Sequence, residues 1–360
     1  MRTMIHLRLA LKWLFISGFL TLLCGCWDIK DINHRAPPLV MGLENKDGGY
    51  RAYLLIPKKS RNKTTLNVIA DTGETINAVV DRIAKNMELE VDLLQLKVIV
   101  FERAIAEQGL GDSVSSLMRS REVSSKTIVA ISEGSLKPLF DKLKSSSTGA
   151  GMEIYNYFQK DAGLTPQVAQ TRVWQIYRSL NSYTRDVAIP LIEAGQTTAI
   201  ASTGSAVIKN GKMVDRINPD ETLMFNSFNG LSTQGKIEVM DHASVMIVAD
   251  SLTHSSTFNG SQAILNSRLN LKVTVVETKG SPTVTMIKQE LDELLTKRFE
   301  RMFRKLQAKQ ADILGLGQFF RRQIPRDRLQ YWRTDYYPYM QLNLRVNTII
   351  QNEGLLKMKE

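Results

Sequence analysis

The stretch that decides the fold class covers residues 96–143 and reads LKVIVFERAIAEQGLGDSVSSLMRSREVSSKTIVAISEGSLKPLFDKL. In this stretch, short apolar runs of strand length alternate with segments of helical periodicity. The pattern predicts a strand at 96–101, a helix that ends at Gly109, a helix at 113–120, a strand at 127–131 and a helix at 136–143. Regular alternation of this kind is typical of a mixed α/β domain.

The flanking segments extend this N-terminal α/β domain, which we predict to span residues 26–195. A turn at Lys46-Asp47-Gly48-Gly49 precedes a strand at 50–56, and the polar, basic run 58–65 predicts a loop. Residues 75–87 carry apolar side chains at helical spacing behind a capping region, and residues 168–180 predict another helix.

Beyond Gly195 the pattern changes to short strands and tight turns, which predicts a small β-rich middle domain at 196–265. Within it, Asn210-Gly211 favours a two-residue hairpin because both positions tolerate positive φ. The remaining residues, 266–360, predict a C-terminal domain of antiparallel strands with one long helix after Gly280-Ser281-Pro282 and a closing strand near 340–347. The predicted fold class is therefore α+β, or mixed α/β, in several domains.

The first 25 residues have the three parts of a signal peptide: a basic start, an apolar run at 13–23 and a cleavage region. The apolar run is shorter than the roughly 20 residues that span a membrane, so a cleaved leader is predicted rather than a permanent anchor. Leu23-Cys24-Gly25-Cys26 resembles a bacterial lipoprotein signal, which makes Cys26 the predicted lipidation site, flanked by Trp27 and Asp28. Cys24 fits less well because bulky Leu23 precedes it.

Cysteine content and charge limit the remaining possibilities. Removal of the leader takes away Cys24 and leaves Cys26 alone, so no disulfide can form within the mature chain. It also removes three of the 47 Lys and Arg residues, which leaves 44 against 36 Asp and Glu, a net charge of +8. This moderate surplus fits a solvated surface of mixed charge, or contact with an anionic bilayer, whereas export argues against nucleic acid as a partner.

A search for catalytic or ligand-binding patterns finds little. Asp241-His242-Ala243-Ser244 holds the residue types of a catalytic triad, but neighbours in sequence seldom face each other as nucleophile and base, and no Gly-x-Ser-x-Gly elbow is present. Metal-binding and phosphate-loop motifs are absent, so Gly109-Leu110-Gly111 and Gly315-Leu316-Gly317 predict turns. No enzyme activity, metal or cofactor is therefore predicted.

Two surface features have both a functional and a structural interpretation. A basic cluster could meet anionic lipid or an acidic partner, although a solvated helix face is the simpler interpretation; it comprises Arg301, Arg304, Lys305, Arg321 and Arg322. The aromatic residues at 331–332 and 336–339 could line a ligand site, but their place just before the closing strand favours packing under that strand.

Four stretches, in order along the chain, carry a family resemblance. They are CWDIKDIN at 26–33, LKVIVF at 96–101 running into Gly109-Leu110, SAVIKNGKMV at 205–214 followed by Glu221-Thr222, and DILGLG at 312–317 followed by Tyr331-Trp332 and a closing strand to Gly354. In content and order they resemble the Ger(x)C lipoproteins, the C subunits of bacterial spore germinant receptors. The resemblance extends over nearly the whole mature chain.

The resemblance implies a non-enzymatic lipoprotein of a Gram-positive spore former, needed for nutrient-triggered germination. It implies attachment by lipid on Cys26 to the outer face of the spore's inner membrane, and assembly with two membrane-embedded receptor subunits. It brings no catalytic residues, and it leaves open whether this subunit contacts the germinant. The alternatives are a lipoprotein solute-binding protein of a transporter, with two similar lobes around a cleft, and a cell-surface hydrolase built on Asp241-His242-Ala243-Ser244.

Overall fold

Two β-sheets organise the chain. The computed structural model describes residues 34–60, 63–120, 122–145, 153–158, 166–231 and 233–352, with His6, Lys12, Trp13 and Phe15. Residues 36–360 form one compact unit. The strands are β1 (Arg35–Ala36), β2 (Val40–Lys46), β3 (Gly49–Ser60), β4 (Lys63–Gly73), β5 (Glu90–Val91), β6 (Val98–Glu102), β7 (Ile128–Ser132), β8 (Thr171–Arg172), β9 (Val187–Ala194), β10 (Ile200–Lys209), β11 (Lys212–Ile217), β12 (Ile237–Val239), β13 (Ala243–Phe258), β14 (Ala263–Thr278) and β15 (Gln341–Asn352).

The helices lie mainly in the first two thirds of the chain, apart from one long helix near the end. They are α1 (Ile76–Lys85), α2 (Arg103–Gln108), α3 (Gly111–Arg119), α4 (Leu136–Ser145), α5 (Glu153–Phe158), α6 (Val173–Leu180), α7 (Pro219–Phe228) and α8 (Val284–Ala308). Between α8 and β15 the chain forms short turns of helix at Leu316–Phe320, Leu329–Tyr331, Trp332–Tyr336 and Tyr337–Tyr339.

The larger sheet has nine strands in the order β11-β10-β9-β7-β6-β2-β3-β4, with β8 paired to β7. Its four central strands, β9, β7, β6 and β2, run parallel to one another. Residues 98–101 of β6 are completely buried because helices cover both faces of the sheet. Helices α1, α2, α3 and α6 pack on one face, whereas α4 and α5 pack on the other. The predicted mixed α/β fold class is confirmed.

The smaller sheet has four strands in the order β12-β13-β14-β15, and α8 packs across one face. Alternate residues of β14, from Ala263 to Val275, are buried on the side that faces the core, and those between them are partly or fully exposed. The apolar stripe of α8 covers that core and comprises Ile287, Leu291, Leu295, Phe299, Met302, Phe303 and Leu306. The predicted long helix and closing strand are confirmed.

The pairing of β15 differs from the predicted antiparallel arrangement, because β14 and β15 run parallel over Ile264–Thr274 and Gln341–Asn352. Parallel neighbours need a long crossover connection, and here the connection contains all of α8. The other pairs of this sheet, β12 with β13 and β13 with β14, are antiparallel.

The domain limits predicted from sequence fall within continuous structure. The limit at residue 195 separates β9 from β10, yet these strands pair antiparallel in the nine-stranded sheet. The limit at residue 265 lies inside β14. Hydrogen bonds between strands therefore cross both positions, because β9, β10 and β11 complete the first sheet instead of starting a separate one.

Local predictions agree with the structure where turn chemistry governs them. Both two-residue hairpins form, with positive φ at Asp47 and Gly48 and at Asn210 and Gly211. The loop predicted at 58–65 is wrong, because β3 and β4 extend their pairing through Lys58 and Thr65. The helix predicted at 168–180 starts only at Val173 in α6, since β8 precedes it and pairs with β7.

We expect the packing of α8 to dominate the stability of the smaller sheet. Leu295→Ala removes a side chain that is 1% exposed and leaves a cavity, so the free energy of unfolding should fall by about 2–5 kcal/mol. Leu94→Ala is the matched control, because Leu94 is 52% exposed and its truncation should cost about 0.5 kcal/mol or less. Urea unfolding measures both; equal midpoints for the two variants would contradict this assignment of the core.

Candidate functional site

The predicted lipidation site lies outside the described residues. Cys26, Trp27 and Asp28 all precede residue 34, where the continuous description begins. Their role therefore stays a prediction.

The triad-like run Asp241-His242-Ala243-Ser244 does not bring its members together. His242 pairs through Nδ1 with a carboxylate oxygen of Glu290 on α8, and the His242 backbone N–H donates to the same side chain at 3.3 Å. Ser244 lies on β13 in register with Glu277 of β14. The imidazole thus joins the start of β13 to α8, and no hydrogen bond connects the described side chains of His242 and Ser244.

The most strongly built polar cluster is a buried junction around Asp312, in the segment that follows α8. Its carboxylate accepts three hydrogen bonds, from the backbone N–H groups of Leu316 and Gly317, both at 2.8 Å, and from Nε1 of Trp332 at 2.9 Å. Asp312 and Trp332 are completely buried. Three donors on one carboxylate fix the turn 312–317 and the indole ring in a single arrangement.

A second buried aspartate, Asp186, lies at the entry to β9 and completes the junction. Arg333 donates to it with two nitrogens, Nε at 2.9 Å and a terminal nitrogen at 2.7 Å, in the two-pronged geometry that suits carboxylates. The two aspartates also bind each other directly. The Asp186 backbone N–H donates to the Asp312 carbonyl, and the Asp312 backbone N–H donates to the Asp186 carboxylate, each at 2.8 Å. These contacts connect the nine-stranded sheet to the segment between α8 and β15.

Small and aromatic residues allow the junction to close. Gly315 has φ of 68°, a left-handed conformation that favours glycine, and a Cβ there would also collide with the guanidinium of Arg185. At Gly317 a Cβ would come within 2.7 Å of Thr184 and of the Trp332 ring. The Trp332 ring stacks on Phe320 with centroids 5.4 Å apart. The predicted packing before the closing strand is therefore confirmed for Trp332 and Tyr337, which are completely buried, whereas Tyr331 and Tyr339 are 50% and 73% exposed.

Burial shifts the acid-base behaviour of the junction. Burial, together with the charge of Asp186, raises the pKa of Asp312 to about 6, although its N–H donors oppose that shift. Burial and the two aspartates raise the pKa of Tyr337 well above its usual value, so its hydroxyl stays protonated and donates to the Ala311 carbonyl at 3.2 Å. The polar side chains of both aspartates, Trp332, Arg333 and Tyr337 all have hydrogen-bond partners within the protein. The junction therefore holds structural elements together and is not an open reaction site.

A second buried ion pair joins α8 to its neighbours. Arg298 donates two hydrogen bonds to Glu238 of β12, at 2.8 and 2.9 Å, and lies 3.7 Å from Asp220 of α7. Two turns further on, Lys305 contacts Glu221 of α7 at 3.2 Å. Helix α8 is thus held to α7 and to the smaller sheet by charged contacts as well as by its apolar stripe.

Sequence reasoning found part of this site. The DILGLG run and Tyr331-Trp332 were singled out as family-like motifs, and they supply Asp312, both glycines and Trp332. Asp186, Arg333 and Arg298 were missed. They stand among other polar or charged residues, so their burial leaves no signal in the sequence, and a partner 147 residues away cannot be identified from one sequence.

Two further observations concern the described part of the chain. Its helices do not include one with the length and the unbroken apolar character that crossing a bilayer requires. No group of three or more His, Cys, Asp or Glu side chains there is arranged to hold a metal ion.

Comparison with known proteins gives a consistent result over nearly the whole chain. The family described as "Spore germination protein N-terminal domain" matches residues 28–194, and the family described as "Spore germination B3/ GerAC like, C-terminal" matches residues 203–354. Spore germination protein GerQC of Bacillus cereus is 21% identical over 350 residues, which covers 90% of this chain and 94% of that protein. The crystal structure of the GerBC protein aligns with a TM-score of 0.58 at 13% identity, covering 87% of this chain and 97% of that chain.

The two matched regions identify the chain as a spore germination protein. More specifically, the chain belongs to the Ger(x)C family, the C subunits of spore germinant receptors. The predicted family is therefore confirmed, and this family is not one of known enzymes.

The junction yields a stability prediction. Asp312→Asn replaces one acceptor oxygen by an NH₂ group, which then faces backbone or indole N–H donors, so the free energy of unfolding should fall by about 1–3 kcal/mol. Asp241→Asn is the matched control, because Asp241 is exposed. Urea unfolding compares the two variants with the parent chain, and a midpoint for Asp312→Asn equal to that of the control would argue against the junction.

The pKa of Asp312 gives a prediction about pH. The carboxyl titrates near 3.8 when unfolded and at about 6 when folded, so between these values only the folded state holds the proton. This group's contribution to the free energy of unfolding is therefore complete below the lower pKa and is lost as the pH rises through the higher one. The stability difference between the parent and Asp312→Asn should shrink from about pH 4 to about pH 6. Urea unfolding across that range tests this, and a constant or widening difference would contradict it.

Proposed function

We propose that this chain is a non-enzymatic, lipid-anchored C subunit of a spore germinant receptor. It acts on the outer face of the spore's inner membrane, in complex with two membrane-embedded subunits, and is required for the response to a nutrient. The observation that carries the proposal is the ordered family match over residues 28–194 and 203–354, which begins two residues after Cys26. The anchor would thus join directly to the folded unit through a short segment.

The architecture favours this function over the solute-binding alternative. A hinged solute-binding protein has two similar lobes that close on a ligand, whereas the two sheets here differ in strand number, in strand direction and in helix cover. The buried Asp186–Arg333 pair also ties the larger sheet to the segment before β15, which opposes a hinge motion between them. The hydrolase alternative requires a base beside Ser244, but among the described contacts no hydrogen bond joins His242 to Ser244.

The anchor follows from the chemistry of lipoprotein processing. A diacylglycerol joined to the Cys26 thiol as a thioether brings two acyl chains, and each buried CH₂ contributes about 0.8 kcal/mol. Two chains hold a protein stably at a bilayer, whereas one chain gives only marginal, reversible binding. A C subunit whose described helices do not cross a bilayer would in this way remain beside its membrane-embedded partners.

Cys24 and Cys26, on either side of the predicted cleavage site, allow a matched test of the anchor. Cys26→Ser removes the sulfur that accepts the lipid, so the variant should incorporate no labelled palmitate and should keep its leader. Cys24→Ser should be labelled and cut like the parent chain, because serine is also small enough for that position. Labelling and gel mobility in the producing bacterium measure both outcomes. Labelled Cys26→Ser, or loss of label in Cys24→Ser, would refute the assignment.

The receptor role has a separate test. Affinity purification of the tagged chain from detergent-treated spore membranes should recover two multispanning proteins, and deletion of the gene should abolish germination in response to one set of nutrients. Responses through other receptors should persist. Unchanged germination in a strain that lacks all related receptors would refute the proposal. Loss of uptake of one solute by growing cells would favour the transporter subunit instead.

A further inference from the structure

A cleft of about 710 Å³ lies beside the buried junction, on the side of Arg185. The C-terminal end of α6, the loop 181–185 and the segment 318–330 form its walls. Four arginines line it, together with one carboxylate, Asp327; the arginines are Arg178, Arg185, Arg321 and Arg326. A volume of this size falls within the range of small-molecule binding sites.

The positive charge of this cleft is not balanced by the protein. Among the described residues, none of the four arginines forms an ion pair with a carboxylate within 4.0 Å. Arg333, on the neighbouring turn, differs because Asp186 neutralises it. Four guanidinium groups against one carboxylate leave a local excess of positive charge in a concave surface, which concentrates anions.

Arg185 carries part of the excess positive charge below the surface of the cleft. Its Nε is buried and has no hydrogen-bond partner, and its guanidinium lies against the backbone at Gly315, where a Cβ would collide with it. A buried donor without a partner costs free energy unless a ligand or water satisfies it. Burial and the charge of Arg185 together lower the pKa of Arg178, because the two positive charges repel each other.

The other walls suit a small polar molecule. Tyr177 and Tyr183 are 40% and 59% exposed, and they supply ring edges and hydroxyl groups. The guanidinium of Arg178 is held 4.8 Å from the centroid of the Trp174 ring, so it is already ordered at the rim. Hydroxyl and amide groups complete the lining and come from Asn181, Ser182, Thr184, Gln318 and Gln330.

We propose that this cleft binds an anion whose clustered oxygens belong to phosphate or carboxylate groups. Arginine suits such groups because its planar fork donates to two oxygens at once. The excess of charge favours a ligand with at least two negative charges. The site is separate from the lipid on Cys26, and it does not depend on the receptor function proposed above.

Thermal unfolding of the full chain in nonionic detergent tests the proposal, with Trp fluorescence as the readout. Citrate and pyrophosphate should raise the unfolding midpoint, since a ligand that binds only the folded state stabilises it. Arg178→Gln and Arg326→Gln remove exposed cleft arginines, and each should weaken the apparent Kd about tenfold or more. Arg301→Gln is the matched control, because Arg301 is exposed on α8 and does not line the cleft.

A second arm identifies the source of the anion. Micelles doped with cardiolipin, a doubly anionic phospholipid, are compared with micelles doped with phosphatidylcholine. A shift with citrate or pyrophosphate that the cleft variants lose supports a soluble ligand, and a shift with cardiolipin alone that they lose supports a lipid phosphate. The proposal is overturned if no anion shifts the midpoint of the parent chain, or if Arg178→Gln and Arg326→Gln respond as Arg301→Gln does.

Discussion

The pair of buried aspartates, Asp186 and Asp312, is the constraint on which the rest of the structure depends. Each would be very costly to bury as an isolated charge, and together they would repel each other. Arg333 neutralises one of them, and two backbone N–H groups of the turn 312–317 and the indole of Trp332 stabilise the other. Because these partners come from the turn and from the aromatic segment, both carboxylates are satisfied only when the strand, the turn and the aromatic segment meet.

Helix α8 is the second element that joins the two sheets. Its middle is fixed by Arg298 to Glu238 of β12, and its last turns lead directly into the Asp312 turn. The same helix supplies the apolar stripe that covers the smaller sheet. The two sheets are therefore joined through one helix and the turn that follows it, in agreement with the continuous contacts across residues 36–360.

Sequence predicted the parts of the fold that local chemistry determines. Both hairpin turns, the central strands β6 and β7 and the long helix follow from dipeptides and periodicity, whereas β9 was not predicted. The parallel pairing of β15 and the joining of β10 to β9 were not predicted, because a strand's pattern does not identify its neighbour. The hairpin extension through Lys58 and Thr65 was missed since polar side chains there resemble a loop. Within the site, the family-like DILGLG run pointed to Asp312, whereas the arginines of the cleft are spread over 149 positions and meet only in the folded chain.

The long separation between Asp186 and Arg333 has a consequence for the newly made chain. Synthesis runs from the N-terminus, so Asp186 is made while the 147 residues that lead to Arg333 are still absent. At ordinary translation rates this interval is on the order of ten seconds. During it, the larger sheet has a carboxylate without its counter-ion at one edge of its core. The last sixth of the polypeptide thus decides when the first half becomes fully stable, and a ribosome that stops early leaves a product that chaperones and proteases can distinguish from the finished protein.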